Sequence, residues 1–174
     1  FWTDPARRPG LIFGLTLAAL LTVFLCSIGL GPNRLPFLPE AEYSDAAISH
    51  WPNAHFLRQS VRDDLTFPLW RPAIMSGQPF AANPLNKVWY PPQWLVLLLP
   101  PALHLNVLVW LHLLIAGLGA WVWSRTTGLD HWPAALVGLG YAFAPRLIIS
   151  LGAGHLDLIY AAAWIPWLLW AVQR

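Results

Sequence analysis

The sequence predicts an all-α, polytopic transmembrane protein of about four spans, with a large first outer loop that carries an amphipathic interfacial helix. Three observations predict this. The 174 residues are 57% hydrophobic and only 10% charged, whereas soluble domains carry about a quarter of charged residues. Apolar stretches long enough to cross a bilayer recur along the chain. Twelve Trp and seventeen Pro suit aromatic belts and helices that stop at a membrane surface. A net charge of +2, with no basic run interleaved with aromatics, excludes a nucleic-acid partner.

Residues 1–9 read as a short cytoplasmic segment containing Arg7 and Arg8. Residues 10–32 hold no charge and match the length of a hydrocarbon core of about 30 Å, so they form the first span. The run is too long for a signal peptide and has no small-residue cleavage site, which makes it a start-transfer anchor. Cys26, the single cysteine, falls inside it as a small apolar residue and forms no internal disulfide.

Residues 33–91 form the outer loop. Pro52 suits the first turn of a helix, and Ala54, Leu57, Val61 and Leu65 then repeat at helical spacing, so an amphipathic helix lies there in the interface. From Phe67 to Pro92, six prolines and Gly77 forbid long regular structure. Residues 92–174 hold the remainder. Pro91 and Pro92 open a short interfacial helix, QWLVLLL, which Pro100 and Pro101 stop. Residues 102–123 make a second span, 132–150 a third weakened by Pro145 and Arg146, and 157–172 a short fourth containing Pro166. The chain is expected to be the front portion of a longer protein.

Arg7, Arg8, Arg125 and Arg174 fall on one side of this arrangement, which the positive-inside rule makes cytoplasmic; the opposite loop carries Arg34, Arg58, Arg62, Arg71 and Lys87, but it is near the length where the rule fades and its five acids balance them. Asp45, Arg146, His155 and Asp157 then share the outer face.

Ionisable groups crowd into residues 40–72, which hold five of the eight acids and two of the six His. Among them Asp45 stands out. A carboxylate shortly after a transmembrane exit, in an apolar and aromatic setting, loses solvation and becomes a better proton acceptor. Its alternative role is to cap the helix beginning at AAISHWP; Glu40 and Glu42 read equally well as solvated acids. Arg58, Arg62, Arg71 and Lys87 supply cations for a phosphate or for lipid headgroups. Trp51, Trp70, Trp89, Tyr90 and Trp94 offer faces for sugar rings or for anchoring in the interface.

The string HWP, PLWRP, SGQPFAANP, YPP, NVLVWLHLLIAGLGAW, RTTGL, GH and AAAWIP, in this order after an Asp that follows the first span, resembles the amino-terminal part of the YfhO-like bacterial membrane proteins, a branch of the GT-C-fold glycosyltransferases. The similarity runs from about residue 43 to 170. It implies a multi-pass enzyme of the bacterial plasma membrane that transfers a sugar from a polyprenyl-phosphate carrier to an acceptor on the outer face. By the resemblance Asp45 is the catalytic base, and His50, Arg71, Asn83, His155 and Asp157 support acceptor, phosphate or a divalent cation. Many relatives pair acids in this loop as Asp-x-Asp or Asp-Glu. Here Ala46 and Ala47 follow Asp45, so metal use is not carried over.

Two other classes compete. A non-catalytic subunit would pack against other membrane proteins through small-residue faces such as Ala116 with Ala120 and Gly138 with Ala142. A pigment or haem protein would use His112, alone in an apolar span, as an axial ligand, but a buried histidine hydrogen-bonded to a neighbouring helix explains it better. A transporter is disfavoured by the absence of an inverted repeat.

Overall fold

The computed structural model describes residues 8–29, 31, 33–35 and 43–174. Arg7, Glu40 and Glu42 lie outside the described residues. The predicted helical architecture is present. Three helical stretches are long and apolar enough to cross a membrane, Arg8–Ser27, Pro101–Thr126 and His131–Ala153, and a shorter apolar helix covers Leu156–Val172.

Helix α1 (Arg8–Ser27) buries Phe13, Leu17, Leu21 and Leu25, one residue per turn, while Ile12, Leu15 and Val23 on the opposite face stay exposed. This is the stripe of a helix that packs on protein with one side and leaves an apolar surface on the other. The helix ends before the predicted boundary because Gly29, two residues past Ser27, takes a left-handed φ of 86°, the usual stop just past a helix end. The following backbone is pinned by Asn106, whose Nδ2 donates to Gly31 O at 2.6 Å and Arg34 O at 2.9 Å.

The helix predicted from Pro52 is longer than the sequence pattern predicts. Helix α2 (Trp51–Arg58) continues at both ends into π-helical turns, Ala46–His50 and Gln59–Asp63. Pro52 therefore lies within a continuous helix. The wide turn accommodates it, as the Trp51 N–H reaches back five residues to Ala46 O in the manner of a π-bulge. Ala54 and Leu57 are fully buried as expected, but Leu65 lies past the helix end, exposed and at φ 52°. The polar groups of the terminal turn interrupt the apolar repeat there.

Between residues 67 and 92 the chain makes a two-residue hairpin, β1 (Trp70–Arg71) against β2 (Gln78–Pro79), then 3-10 turns at Pro84–Asn86 and Pro91–Leu97. These short pieces pack with α2 around Leu57, Phe80, Val88 and Val96.

Helix α3 (Pro101–Thr126) is the central post and packs against α1, α4 and α6. Helices α4 (His131–Ala142) and α5 (Pro145–Ala153) are separated at Phe143 and Ala144, with Pro145 opening the second. Helix α6 (Leu156–Val172) contains Pro166. The small residues of α3 and α4 serve this internal packing. Ala116, Ala120 and Ala142 are buried, and a Cβ placed on Gly138 would stand 2.7 Å from Gly117 O. The faces expected to receive a partner subunit are spent inside the bundle.

The bundle has two chemically different ends. At one, Phe13 stacks on Trp121, Trp121 on His131, and Thr126 Oγ1 donates to Gln173 Oε1. This gathers the start of α1, the end of α3, the start of α4 and the end of α6, and with them Arg8, Arg125 and Arg174. The start of α3, the Tyr90 loop and the α5–α6 turn occupy the other end.

Candidate functional site

Five predicted site residues converge at that second end. Ser44 and Asp45 lead into the first π turn, and the Ala46 N–H is satisfied by Ser44 Oγ at 3.3 Å. Asp45 makes no side-chain cap. Its Oδ2 instead lies 3.6 Å from His155 Nε2, with both side chains about half exposed. The capping role weighed for Asp45 is thus taken by Ser44, which leaves the carboxylate free for chemistry at the surface.

The approach depends on Gly154, which closes α5 in the left-handed conformation at φ 77°. A Cβ there would fall 2.2 Å from Ser44 Oγ, 2.6 Å from Ala46 N and 3.0 Å from Asp45 N. Only a residue without a side chain allows the two backbones to meet this closely. In the sequence the Gly-His pair marks little more than a helix end.

Below this surface pair sits a buried group. His50, 5% exposed, ends the first π turn. Lys87 follows the Pro84–Asn86 turn at a left-handed φ of 54°, and its Nζ lies 2.6 Å from Asp157 Oδ1 and 3.0 Å from His50 Nδ1. An ammonium has no acceptor capacity, so His50 Nδ1 accepts and the neutral imidazole carries its proton on Nε2. Burial, together with the Lys87 charge, lowers the His50 pKa from 6.5 to about 4, against the opposing pull of Asp157 and Asp45. Burial likewise pulls Lys87 below its ordinary value, and the Asp157 carboxylate resists this. Asp45, His50, Lys87, His155 and Asp157 thus form one electrostatic unit assembled from three segments distant in sequence.

The other predicted phosphate groups are engaged elsewhere. Arg58 donates from Nη1 to Val96 O at 2.6 Å, Leu97 O at 3.3 Å and Leu99 O at 2.7 Å, and Arg62 to Leu97 O at 3.2 Å. Both guanidiniums serve the free carbonyls at the end of the Pro91–Leu97 turn. Arg71 donates to Asn53 Oδ1 at 2.8 Å and lies over the Phe56 ring, where burial lowers its pKa. Asn83 caps the Pro84–Asn86 turn, accepting from Leu85 N at 3.0 Å. Arg146 is exposed at the first turn of α5. Among the described residues no group of three His, Cys, Asp or Glu is arranged to hold a metal ion.

A polar chain that sequence reasoning missed supports the site from below. His112 Nδ1 lies 2.6 Å from Leu108 O, which can only accept, so this nitrogen carries the proton. Nε2 is then the acceptor, and Tyr90 Oη donates to it at 2.5 Å. Tyr90 Oη in turn accepts from Trp164 Nε1 at 3.2 Å. Both His112 nitrogens are therefore committed and the residue is fully buried, so it is a structural histidine and not the axial ligand of a pigment. Tyr160 stacks on the same imidazole at 4.1 Å. The sequence contained no periodic or charge signal for these aromatics, because their role depends on donors and acceptors meeting across helices.

No family model, curated protein or solved structure matches the chain.

Proposed function

We propose that this chain is the catalytic front portion of a GT-C-type glycosyltransferase of the bacterial plasma membrane, as the resemblance to YfhO-like proteins implies. It transfers a sugar from a polyprenyl-phosphate carrier to an acceptor hydroxyl on the outer face, with the amino terminus cytoplasmic. Asp45 takes the acceptor proton as the hydroxyl oxygen bonds to the anomeric carbon. The bond from that carbon to the carrier phosphate breaks, and the phosphate leaves with the electron pair. His155 orients Asp45, and the buried His50 with the Lys87–Asp157 ion pair supplies the polar floor.

The observation that carries this reading is the Asp45–His155 approach of 3.6 Å, made by a carboxylate that performs no capping and held by a glycine that tolerates no side chain. A solvated loop acid would need neither. The arginines gathered at the opposite end of the bundle agree with the cytoplasmic assignment of that end.

The test is Asp45→Asn in the full-length protein, with membrane insertion checked by detergent extraction and monodispersity. Membranes supplied with a radiolabelled polyprenyl-phosphate hexose should lose transfer by about 100-fold or more, the usual contribution of a general base. Transfer at the unaltered rate by a correctly inserted variant removes Asp45 as the base.

A further inference from the structure

Lys87 is closely surrounded by acceptors. Of its three N–H donors, two serve hydrogen bonds, to Leu85 O and to His50 Nδ1, each at 3.0 Å, while Asp157 Oδ1 stands at 2.6 Å as an ion pair without the alignment of a hydrogen bond. The side chain is 12% exposed and runs beneath the Tyr160 ring, 5.8 Å from its centroid. A phosphate anion approaching this cation finds two protons taken and the space at the third occupied by the Asp157 carboxylate, so it binds Lys87 by replacing a partner.

The three partners are not equally replaceable. Leu85 is two residues away on the same turn, and its carbonyl leaves only if the turn unwinds. His50 is buried and fixed by the π turn that carries Asp45. Asp157 belongs to a separate helix, and its side chain is 41% exposed, so its carboxylate can turn into water without cost to the turn. It also has the chemistry of the incoming group, since carboxylate and phosphate both accept short charge-assisted bonds from an ammonium.

We propose that Asp157 is the resident counter-ion of an anion site centred on Lys87, and that a phosphate ester binds by displacing the Asp157 carboxylate from it. This deepens the reading of the site as one for a lipid-linked phosphate, on which the choice of ligand rests. The exchange itself rests only on how the three partners of Lys87 are held. Asp157 keeps a buried cation paired while the site is empty and competes with the ligand when it arrives. Removing the carboxylate therefore strengthens phosphate binding, whereas a phosphate-holding or positioning role for Asp157 predicts the reverse.

The experiment measures binding to the full-length protein in micelles by microscale thermophoresis, with undecaprenyl phosphate, inorganic phosphate and the neutral alcohol undecaprenol as probes. Asp157→Asn should bind undecaprenyl phosphate at least about tenfold more tightly than the unaltered protein, and Lys87→Gln at least about tenfold more weakly. Undecaprenol should not distinguish the three proteins. A parallel gain for inorganic phosphate shows that the exchange reads the phosphate alone; a gain confined to the lipid shows that the chain is needed to deliver it. Unchanged or weaker binding by Asp157→Asn overturns the proposal. A second measurement needs no change at position 157. In the unaltered protein, undecaprenyl phosphate must shift the 15N resonance of the Lys87 ammonium, assigned by its loss in Lys87→Arg, and an unmoved resonance at saturating ligand also overturns it. Failure of Asp45→Asn to impair transfer would leave these binding results standing, so the two readings fail separately.

Discussion

Gly154→Ala tests the joint on which the surface pair depends. The added Cβ would sit 2.6 Å from Ala46 N and reaches ordinary contact only at 3.4 Å, so the backbone at residues 44–46 must retreat by about 0.8 Å, the difference of these two distances. A retreat of that size carries Asp45 Oδ2, now 3.6 Å from His155 Nε2, beyond the reach of an ion pair. Alanine at φ 77° adds about 1–2 kcal/mol of backbone strain, and the forced overlap about 1–3 kcal/mol more, for a total loss of about 2–5 kcal/mol. Two amides report the movement locally. Ala47 N and Ile48 N both donate to Ser44 O, at 2.9 and 3.1 Å, and hydrogen exchange followed by mass spectrometry should find both faster in the variant, beside a lower thermal midpoint in micelles. Gly140→Ala, inside α4 where an added Cβ meets nothing within 4 Å, is the control and should leave exchange at Ala47 and Ile48 unchanged without lowering the midpoint. If Gly154→Ala keeps its midpoint and slow exchange at Ala47 and Ile48, the close approach does not hold the site together.

Acid should weaken the fold through His50. A base whose folded pKa is lowered, here from 6.5 to about 4, contributes stability that is complete above pH 6.5 and drains away as the pH falls toward 4, on the order of 3 kcal/mol over that window. The groups facing it are Lys87, Asp157, Asp45 and His155, and thermal unfolding against pH should lose this slope in His50→Asn while other slopes remain. Tyr90→Phe removes one hydroxyl and strands both His112 Nε2 and Trp164 Nε1, so the thermal midpoint should fall by the equivalent of about 1–3 kcal/mol. A midpoint equal to that of the unaltered protein would show that the polar chain contributes nothing.

Much of the architecture was legible because bilayer thickness and proline chemistry act on the chain directly. Pro101 and Pro145 open helices where their missing N–H costs nothing, and the charge-free run after Arg8 could become little else than a span. The break at Phe143 and Ala144 was visible as a weakness but not as two helices, since Pro145 can kink a helix or end it. The start of the interfacial helix was read at Pro52 because the π turn that absorbs this proline leaves no mark in the apolar spacing.

The site was legible in part for a related reason. In a chain so poor in charge each ionisable group near a membrane exit requires a partner, and Asp45, His50, Lys87, His155 and Asp157 found one another. Arg58 and Arg71 are charged and Asn83 is polar, yet they satisfy a helix end, an asparagine and a turn. Which carbonyls are left without donors is a property of the folded backbone, so residue type alone did not separate these three from the others. Gly154 was visible only as a helix stop, because what it excludes lies more than a hundred residues earlier in the chain.

Asp157 and Trp164 stand two helical turns apart on one side of α6, about 10 Å along its axis, and both reach into the loop of residues 87–90. The attachments differ in kind. The lower one is a neutral hydrogen bond whose donors and acceptors admit a single arrangement; the upper one is a pair of charges, one of them wetted. Val88, between the two attachments, is buried in the cluster around Leu57, Phe80 and Val96, so loss of the upper attachment frees the Asp157 carboxylate without freeing the loop.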